Sequence, residues 1–251
     1  MPRHGCIPSA QDFDFFRRGE LPSSVLLLDL VFSTHRQFPS ASCSLRAMKS
    51  NRNSRTAFGV KILNSNHAGI RRLKRDGNVP EIHGHKFWNS SFLIMNHLKR
   101  HPIPQRSRVM EIGCGWGLLG IYCAKQFDAR VTGTDADRNV FPFLDLHAEI
   151  NGVEVATEQM RFERLTVERL KRVDVLLGAD VCFWDNLTPV LFNLFKRALR
   201  AGVKQIIIGD PSRSPFTALA ERCGELSNST VIARSMIRPV RASGELLIVR
   251  P

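Results

Sequence analysis

Three alternating glycines, with an acid before them and another after the next apolar run, are the residues best suited to hold a ligand. Gly113, Gly115 and Gly117 follow Glu111, and Asp135 ends the next apolar run. Glycine lets the backbone turn tightly and approach a ligand closely, because it has no Cβ to clash or to restrict the dihedral angles. The carboxylate of Asp135 can accept hydrogen bonds from both hydroxyl groups of a ribose. The spacing therefore predicts a site for a ligand that carries a ribose.

The glycines lie where a predicted strand turns into a predicted helix. The apolar run RVMEI ends at Gly113, and the segment LLGIYCAK after Gly117 has the residue spacing of a helix. A second apolar run, residues 130–134, ends at Asp135. Strand, glycine turn, helix, strand and acid together form half of a nucleotide-binding α/β unit.

Two glycine patterns compete for this turn. The dinucleotide pattern G-x-G-x-x-G starts where the first strand ends. A literal match at Gly115, Gly117 and Gly120 starts too late, since the strand ends before Gly113. Counted from Gly113, the last position is Leu118 and the match fails. The residues therefore disfavour a dinucleotide.

The pattern E-x-G-x-G-x-G, which begins at Glu111, is placed correctly on the strand. It resembles motif I of the class I, seven-strand methyltransferases that use S-adenosyl-L-methionine. The resemblance implies that the loop holds the methionine part of this cofactor and that Asp135 holds its ribose. Trp88 matches the tryptophan, in the helix before the first strand, that lines the cofactor pocket in this family. The cofactor-binding residues expected in this way are Trp88, Glu111, Gly113, Cys114, Gly115, Gly117, Asp135 and Ala179.

The acceptor side is expected at the ends of two later strands. Residues 179–183, ADVCF, resemble the D-x-x-Y element of the protein lysine methyltransferases, with Phe183 in place of tyrosine. We expect Asp180 to orient an amine and Phe183 to form an aromatic wall, which makes them the predicted catalytic residues. A hydrogen bond to the cofactor or a helix cap are the alternative roles for Asp180. Residues 208–213, IGDPSR, resemble the G-D-P-x-R element of predicted nicotinamide N-methylases and electron-transfer flavoprotein lysine methyltransferases.

Strands and helices alternate from about residue 80 onward. The pattern predicts seven strands with helices between them, which is typical of an α/β fold with a doubly wound, mostly parallel sheet. The predicted third strand covers residues 158–162. The methyltransferase resemblance adds that this Rossmann-like sheet ends in an antiparallel strand.

The N-terminal segment has a different composition from the rest of the chain. Residues 1–75 are basic and rich in Ser, Arg, Pro and Asn, so we expect a poorly ordered extension before a methyltransferase domain at residues 76–251. The apolar stretch SVLLLDLVF within it is too short to span a membrane. Met48 is an alternative start, which would make residues 1–47 an artefact. The acids before the apolar stretch disfavour a signal peptide, and the composition fits an organellar transit peptide only in part.

Composition also bounds the partners and the location. The six cysteines include no C-x-x-C pair, so neither a metal nor a redox motif is indicated, and a reducing, cytoplasmic location is expected. The predicted function is transfer of a methyl group to a nitrogen, with a protein lysine favoured. A net charge of +13 is also compatible with nucleic acid. An RNA or small-molecule methyltransferase and a non-catalytic cofactor-binding module are the alternatives.

Overall fold

The computed structural model describes residues 53–226 and 228–251. Its strands are β1 (Ser54–Ala57), β2 (Val60–Leu63), β3 (Arg108–Ile112), β4 (Arg130–Asp135), β5 (Ala156–Gln159), β6 (Val175–Ala179), β7 (Gln205–Asp210), β8 (Ser229–Met236) and β9 (Ala242–Val249). The helices are α1 (Ala68–Arg75), α2 (Ser90–Arg100), α3 (Leu118–Phe127), α4 (Phe141–Asn151), α5 (Val167–Leu170), α6 (Leu187–Ala201) and α7 (Ser214–Cys223).

Strands β3 to β9 form one seven-stranded sheet in the order β5-β4-β3-β6-β7-β9-β8. The five strands from β5 to β7 pair in parallel, whereas β9 is antiparallel to both β7 and β8. The α/β class and the mostly parallel sheet predicted from the alternation are confirmed. The predicted third strand is β5, which lies slightly earlier in the chain than residues 158–162.

The central strands are buried on both faces, so they read as continuous apolar runs rather than as alternating ones. Side chains along a strand point to opposite faces. Leu176 accordingly packs in the core with α6 and α7, while its neighbours Val175 and Leu177 pack in the core with α2 and α3. The sheet is thus packed between two cores, one on each face. The carboxyl ends of its parallel strands lie at one edge.

A β-hairpin and a helix precede the region in which the sequence predicted the domain to begin. Val60 and Ile62 of β2 are fully buried in the same core as α3. The side chain of Asn151 continues the hairpin's hydrogen bonding, because its Oδ1 accepts from Lys61 N (2.8 Å) and its Nδ2 donates to Lys61 O (2.9 Å). Leu63 N donates to His147 Nε2 at 3.1 Å.

Residues of this hairpin therefore pack on elements that follow residue 76, while the domain boundary at residue 76 stays a prediction. Two four-residue strands and one short helix carry too few apolar positions to produce a visible period in the sequence. The stretch SVLLLDLVF and the remaining expectation of an extension lie outside the described residues. Within residues 53–226 and 228–251, no helix is long and apolar enough to cross a membrane.

Candidate functional site

The glycine turn after β3 has an open space at its middle residue. Gly113, Gly115 and Gly117 have φ angles of +57°, +51° and +68°, a region that favours glycine. A Cβ at Gly117 would lie 2.4 Å from the Cγ of Leu144, so that glycine is required by packing within the protein. A Cβ at Gly115 would meet no atom within 4 Å. The backbone of Gly115 thus borders free volume that a ligand can fill.

Glu111 supports this turn from beneath. Its Oε2 accepts a hydrogen bond from Gly120 N at 2.8 Å, which ties the end of β3 to the first turn of α3. The side chain is buried, and burial raises the pKa of Glu111 to about 8 although the Gly120 hydrogen bond lowers it. Cys114 is also buried, and its thiol pKa is raised by burial. Both residues shape the loop from inside the protein.

Asp135 joins the end of β4 to the glycine turn. Its Oδ2 accepts from Gly115 N and its Oδ1 accepts from Asp137 N, both at 3.0 Å. Burial raises the pKa of Asp135, while these backbone hydrogen bonds act in the opposite direction. Each carboxylate oxygen can accept a second hydrogen bond. Asp135 therefore holds the loop and keeps acceptor capacity toward the adjoining cavity, which it also lines.

Asp137 fastens a loop across the mouth of the site, a role that the sequence reasoning missed. Its Oδ2 accepts from the backbone N–H groups of Glu81 and Ile82, the latter at 3.2 Å. Farther along the same loop, Trp116 Nε1 donates to Gly84 O at 2.9 Å. In the sequence, the one indication of this role is that Asp137 is a second acid, two residues after Asp135, in the segment TGTDAD. These contacts bring residues 81–88 to the carboxyl edge of the sheet.

An aromatic cluster closes one side of the site. The rings of His83 and Phe183 are stacked with centroids 4.1 Å apart, and the guanidinium carbon of Arg213 lies 4.3 Å from the Phe183 centroid. Two groups at such distances must occupy opposite faces of the ring. Trp88 meets Phe183 at a steep angle, with centroids 5.3 Å apart. Phe183 consequently presents its edge, rather than an open face, to the cavity. His83 is not among the site residues expected from the sequence.

Asp180 lies at the carboxyl end of β6, where its backbone φ of +55° turns the chain sharply. Its Oδ2 accepts from Ser90 N at 3.1 Å and so caps the start of α2. Its Oδ1 lies 2.9 Å from Arg213 Nη2. Arg213 also binds Asp210, with 2.7 Å between Nη1 and Oδ2. The helix-cap role considered for Asp180 is thus present in the structure, together with an ion pair.

The structure brings the expected site residues together at this edge of the sheet. A cavity of about 180 Å³ is lined by seven of them: Trp88, Gly113, Gly115, Asp135, Ala179, Asp180 and Phe183. The other three, Glu111, Cys114 and Gly117, line a small adjoining cavity. Among residues 53–226 and 228–251, no group of three or more His, Cys, Asp and Glu residues is placed to bind a metal. One cavity is thus lined by the carboxylate of Asp135, an acceptor for hydroxyl groups, and by Asp180 and the aromatic ring of Phe183.

Comparison with known proteins defines the class. The model of the lysine methyltransferase family matches residues 72–215, more than half of the chain, and the chain belongs to this family. The resemblance found in the glycine motif and in the strand-end motifs is confirmed at this level.

The relatives that the chain matches are methyltransferases of several kinds. It is 29% identical over 113 residues to protein N-lysine methyltransferase METTL21A of Xenopus tropicalis, a match covering 43% of this chain and 52% of that protein. It is 23% identical over 133 residues to the electron transfer flavoprotein beta subunit lysine methyltransferase of Xenopus laevis, covering 53% of each. Phosphoethanolamine N-methyltransferase 1 of Arabidopsis thaliana is 29% identical over 121 residues, 45% of this chain and 23% of that protein. The chain thus spans about half, or less, of the length of these relatives.

Solved structures confirm the fold. The tRNA (uracil-54, C5)-methyltransferase of Pyrococcus abyssi, crystallised with S-adenosyl-L-homocysteine, superimposes with a TM-score of 0.50 at 18% sequence identity. The superposition covers 78% of this chain and 43% of that one. It supports the Rossmann-like methyltransferase architecture already evident from the strand order.

Proposed function

We propose that this protein is an S-adenosylmethionine-dependent methyltransferase that transfers a methyl group to the side-chain nitrogen of a protein lysine. The observation that carries the proposal is the free volume at Gly115 beside Asp135, at the carboxyl edge of a sheet of this order. Family membership and the lysine methyltransferases among the relatives support the acceptor class. The crystallised adenosylhomocysteine complex of the structural neighbour supports the cofactor.

The residues present fit this cofactor. S-adenosylmethionine supplies an electrophilic methyl group on a sulfonium sulfur. Gly115 would leave room for its methionine part, and Asp135 would accept hydrogen bonds from its ribose hydroxyls. Trp88 and Ala179 border the same cavity, and Glu111 keeps the loop in shape from below. These groups would hold the donor in one orientation, which in-line transfer requires.

The acceptor amine must be neutral to attack, although an unperturbed lysine has a pKa of about 10.4. Trp88 and the edge of Phe183 desolvate the end of the cavity, and desolvation lowers the pKa of an amine. The predicted catalytic role of Asp180 is to orient that amine through the lone pairs left by Ser90 and Arg213. Phe183 has no hydroxyl, so its part is limited to excluding water.

The proposal is tested by incubating the protein with S-adenosylmethionine labelled in its methyl group and a whole-cell lysate. We expect protease-sensitive, nuclease-resistant label, recovered after hydrolysis as methyl-lysine. Gly115→Val serves as the inactive control. Label on methyl-histidine or on a small amine would move the acceptor to a different class. Label removed by nuclease would replace the protein acceptor by RNA.

The finer assignments of partner, location and domain are part of the same proposal. Cys114, Cys123, Cys182 and Cys223 are all free and buried, which supports a reducing, cytoplasmic location. We propose a protein partner, in keeping with the lysine methyltransferase relatives. We place the start of the cofactor-binding domain at the hairpin, ahead of residue 76, because β2 is buried in its core.

A further inference from the structure

A second, larger cleft adjoins the proposed cofactor cavity. Its volume is about 820 Å³, compared with about 180 Å³ for the cavity that Asp135 lines. Lys86, Trp88 and Asp180 line both spaces and form the wall between them. A chain lying in the larger cleft would therefore be separated from the cofactor cavity by the side chains of these three residues alone. Because it borders the proposed cofactor cavity, this cleft, named here the acceptor cleft, is the expected place for the methyl acceptor.

The acceptor cleft carries an excess of positive charge. Its ionisable lining residues are Lys86, Asp180, Arg213 and Arg241. Arg213 is paired with both Asp180 and Asp210, so this group of one guanidinium and two carboxylates adds no positive charge to the cleft and partly offsets that of Lys86 and Arg241. Among the described residues, neither Lys86 nor Arg241 forms an ion pair, and both are exposed. Lys86 and Arg241 are thus available to interact with a ligand in the cleft.

The aromatic residues of the cleft are poorly placed to bind nucleic acid. Single-stranded nucleic acid binds by stacking its bases on exposed aromatic faces. Arg55 lies 4.7 Å from the Phe87 centroid, and Lys86 Nζ lies 4.5 Å from the Trp88 centroid. Trp116 is buried. In each of the first two cases a cation covers one ring face, which reduces the aromatic surface that the cleft offers for base stacking.

We infer that the acceptor cleft selects protein segments in which the target lysine is flanked by Asp and Glu residues, bound through Lys86 and Arg241. The inference rests on the proposed lysine methyltransferase function and adds its sequence preference. Acidic flanks meet the two unpaired cations, whereas basic flanks are repelled by them. Lysine-rich basic tails are accordingly poor substrates.

The test uses three peptides with one central lysine and flanks of Asp/Glu, Ser/Gln or Lys/Arg. Binding is measured by fluorescence anisotropy with S-adenosylhomocysteine present, and methyl transfer by label from S-adenosylmethionine. We expect the acidic peptide to be preferred over the neutral one by roughly tenfold, the size expected for two exposed ion pairs. The preference should shrink as salt rises from low to physiological ionic strength.

Charge reversal assigns the preference to this cleft. Lys86→Glu and Arg241→Glu should each weaken acidic-peptide binding and improve binding of the basic peptide. Lys125→Glu is the matched control, because Lys125 is exposed near the end of α3 that points away from the glycine turn. It should leave the preference unchanged. Adenosylhomocysteine affinity, measured alongside, verifies that each variant remains folded and binds cofactor.

The outcomes separate this inference from the proposed function. Equal methylation of all three peptides would overturn the flank preference and leave the lysine methyltransferase function standing. Acid-selective binding that Lys86→Glu and Arg241→Glu abolish, without methyl transfer, would support the cleft and overturn lysine methylation. An RNA oligonucleotide that displaces the acidic peptide and becomes methylated would overturn both.

Discussion

Replacing Gly115 by valine tests whether the free volume at the glycine turn is the cofactor cradle. No protein atom lies within 4 Å of the position a Cβ would take, so the side chain fits the folded protein. The φ of +51° makes an L-residue costly there, by about 1–2 kcal/mol. For a domain of this size, such a cost lowers Tm by roughly 2–8 °C. The added methyl groups point into the cavity, so calorimetry should detect no binding of S-adenosylhomocysteine.

Gly152→Val is the matched control for backbone strain. Gly152 also has a positive φ, +67°, and open space around its Cβ position, but it caps the end of α4 away from the glycine turn. It should lower Tm by a similar amount and leave the dissociation constant unchanged. Binding of adenosylhomocysteine by Gly115→Val with unaltered affinity would refute the placement of the cofactor. Binding of NAD in place of adenosylhomocysteine by the unmodified protein would refute the choice of cofactor.

Three further substitutions probe the buried acids and a buried histidine. Glu111→Gln should remove a pH-dependent component of stability. The folded-state pKa of Glu111, about 8, lies above the usual 4.5, so the stability of the wild-type protein should fall relative to that of the variant as pH rises from 4.5 to 8. Urea-unfolding free energies that depend on pH in the same way for both proteins would contradict this. His97→Phe should act in the opposite direction. Both ring nitrogens of buried His97 lack a hydrogen-bond partner among the described residues, and burial lowers its pKa to about 4. The stability of the wild-type protein should therefore fall as pH drops from 6.5 to 4. The gain in unfolding free energy from the substitution should be larger at pH 5 than at pH 8. Asp180→Asn should lower Tm, because Arg213 loses one carboxylate partner. It should also lower kcat and leave the dissociation constant of adenosylhomocysteine unchanged. A loss of adenosylhomocysteine affinity in parallel with kcat would assign Asp180 to cofactor binding.

The parts of the fold that the sequence predicted are those encoded by local patterns. The apolar run before Gly113 and the acid at Asp135 lie within one strand–helix–strand unit, so their spacing alone predicts which strand ends meet. The parallel sheet follows from the regular alternation of strands and helices. The packing of the hairpin before residue 68 on the sheet domain is not encoded by a local pattern, because it depends on long-range contacts, such as the hydrogen bonds between Asn151 and Lys61.

The same distinction explains which parts of the candidate site could be anticipated. Gly115 and Asp135 could be recognised from the sequence as candidate ligand-binding residues, because Gly115 lies in a glycine turn and Asp135 ends a predicted strand. His83 and Asp137 were not, because their roles depend on a loop that folds back over the sheet. No local period marks such a loop. A residue whose role is to hold another segment in place is visible only once that segment's position is known.

Asp180 and Arg213 each lie in a motif that the sequence shows, but their ion pair is visible only in the structure. This ion pair affects how Asp180 would bind an acceptor amine. Each belongs to a motif recognisable on its own strand end, yet only the structure joins them, 2.9 Å apart. A carboxylate that already has a guanidinium partner attracts an incoming ammonium group less than a free one does. It still offers lone pairs to the N–H groups of a neutral amine. If Asp180 contacts the acceptor, its pairing with Arg213 therefore reduces the advantage of the protonated lysine over the neutral, nucleophilic form. Phe183 and Trp88 line the same cavity, and by excluding water we expect them to act in the same direction.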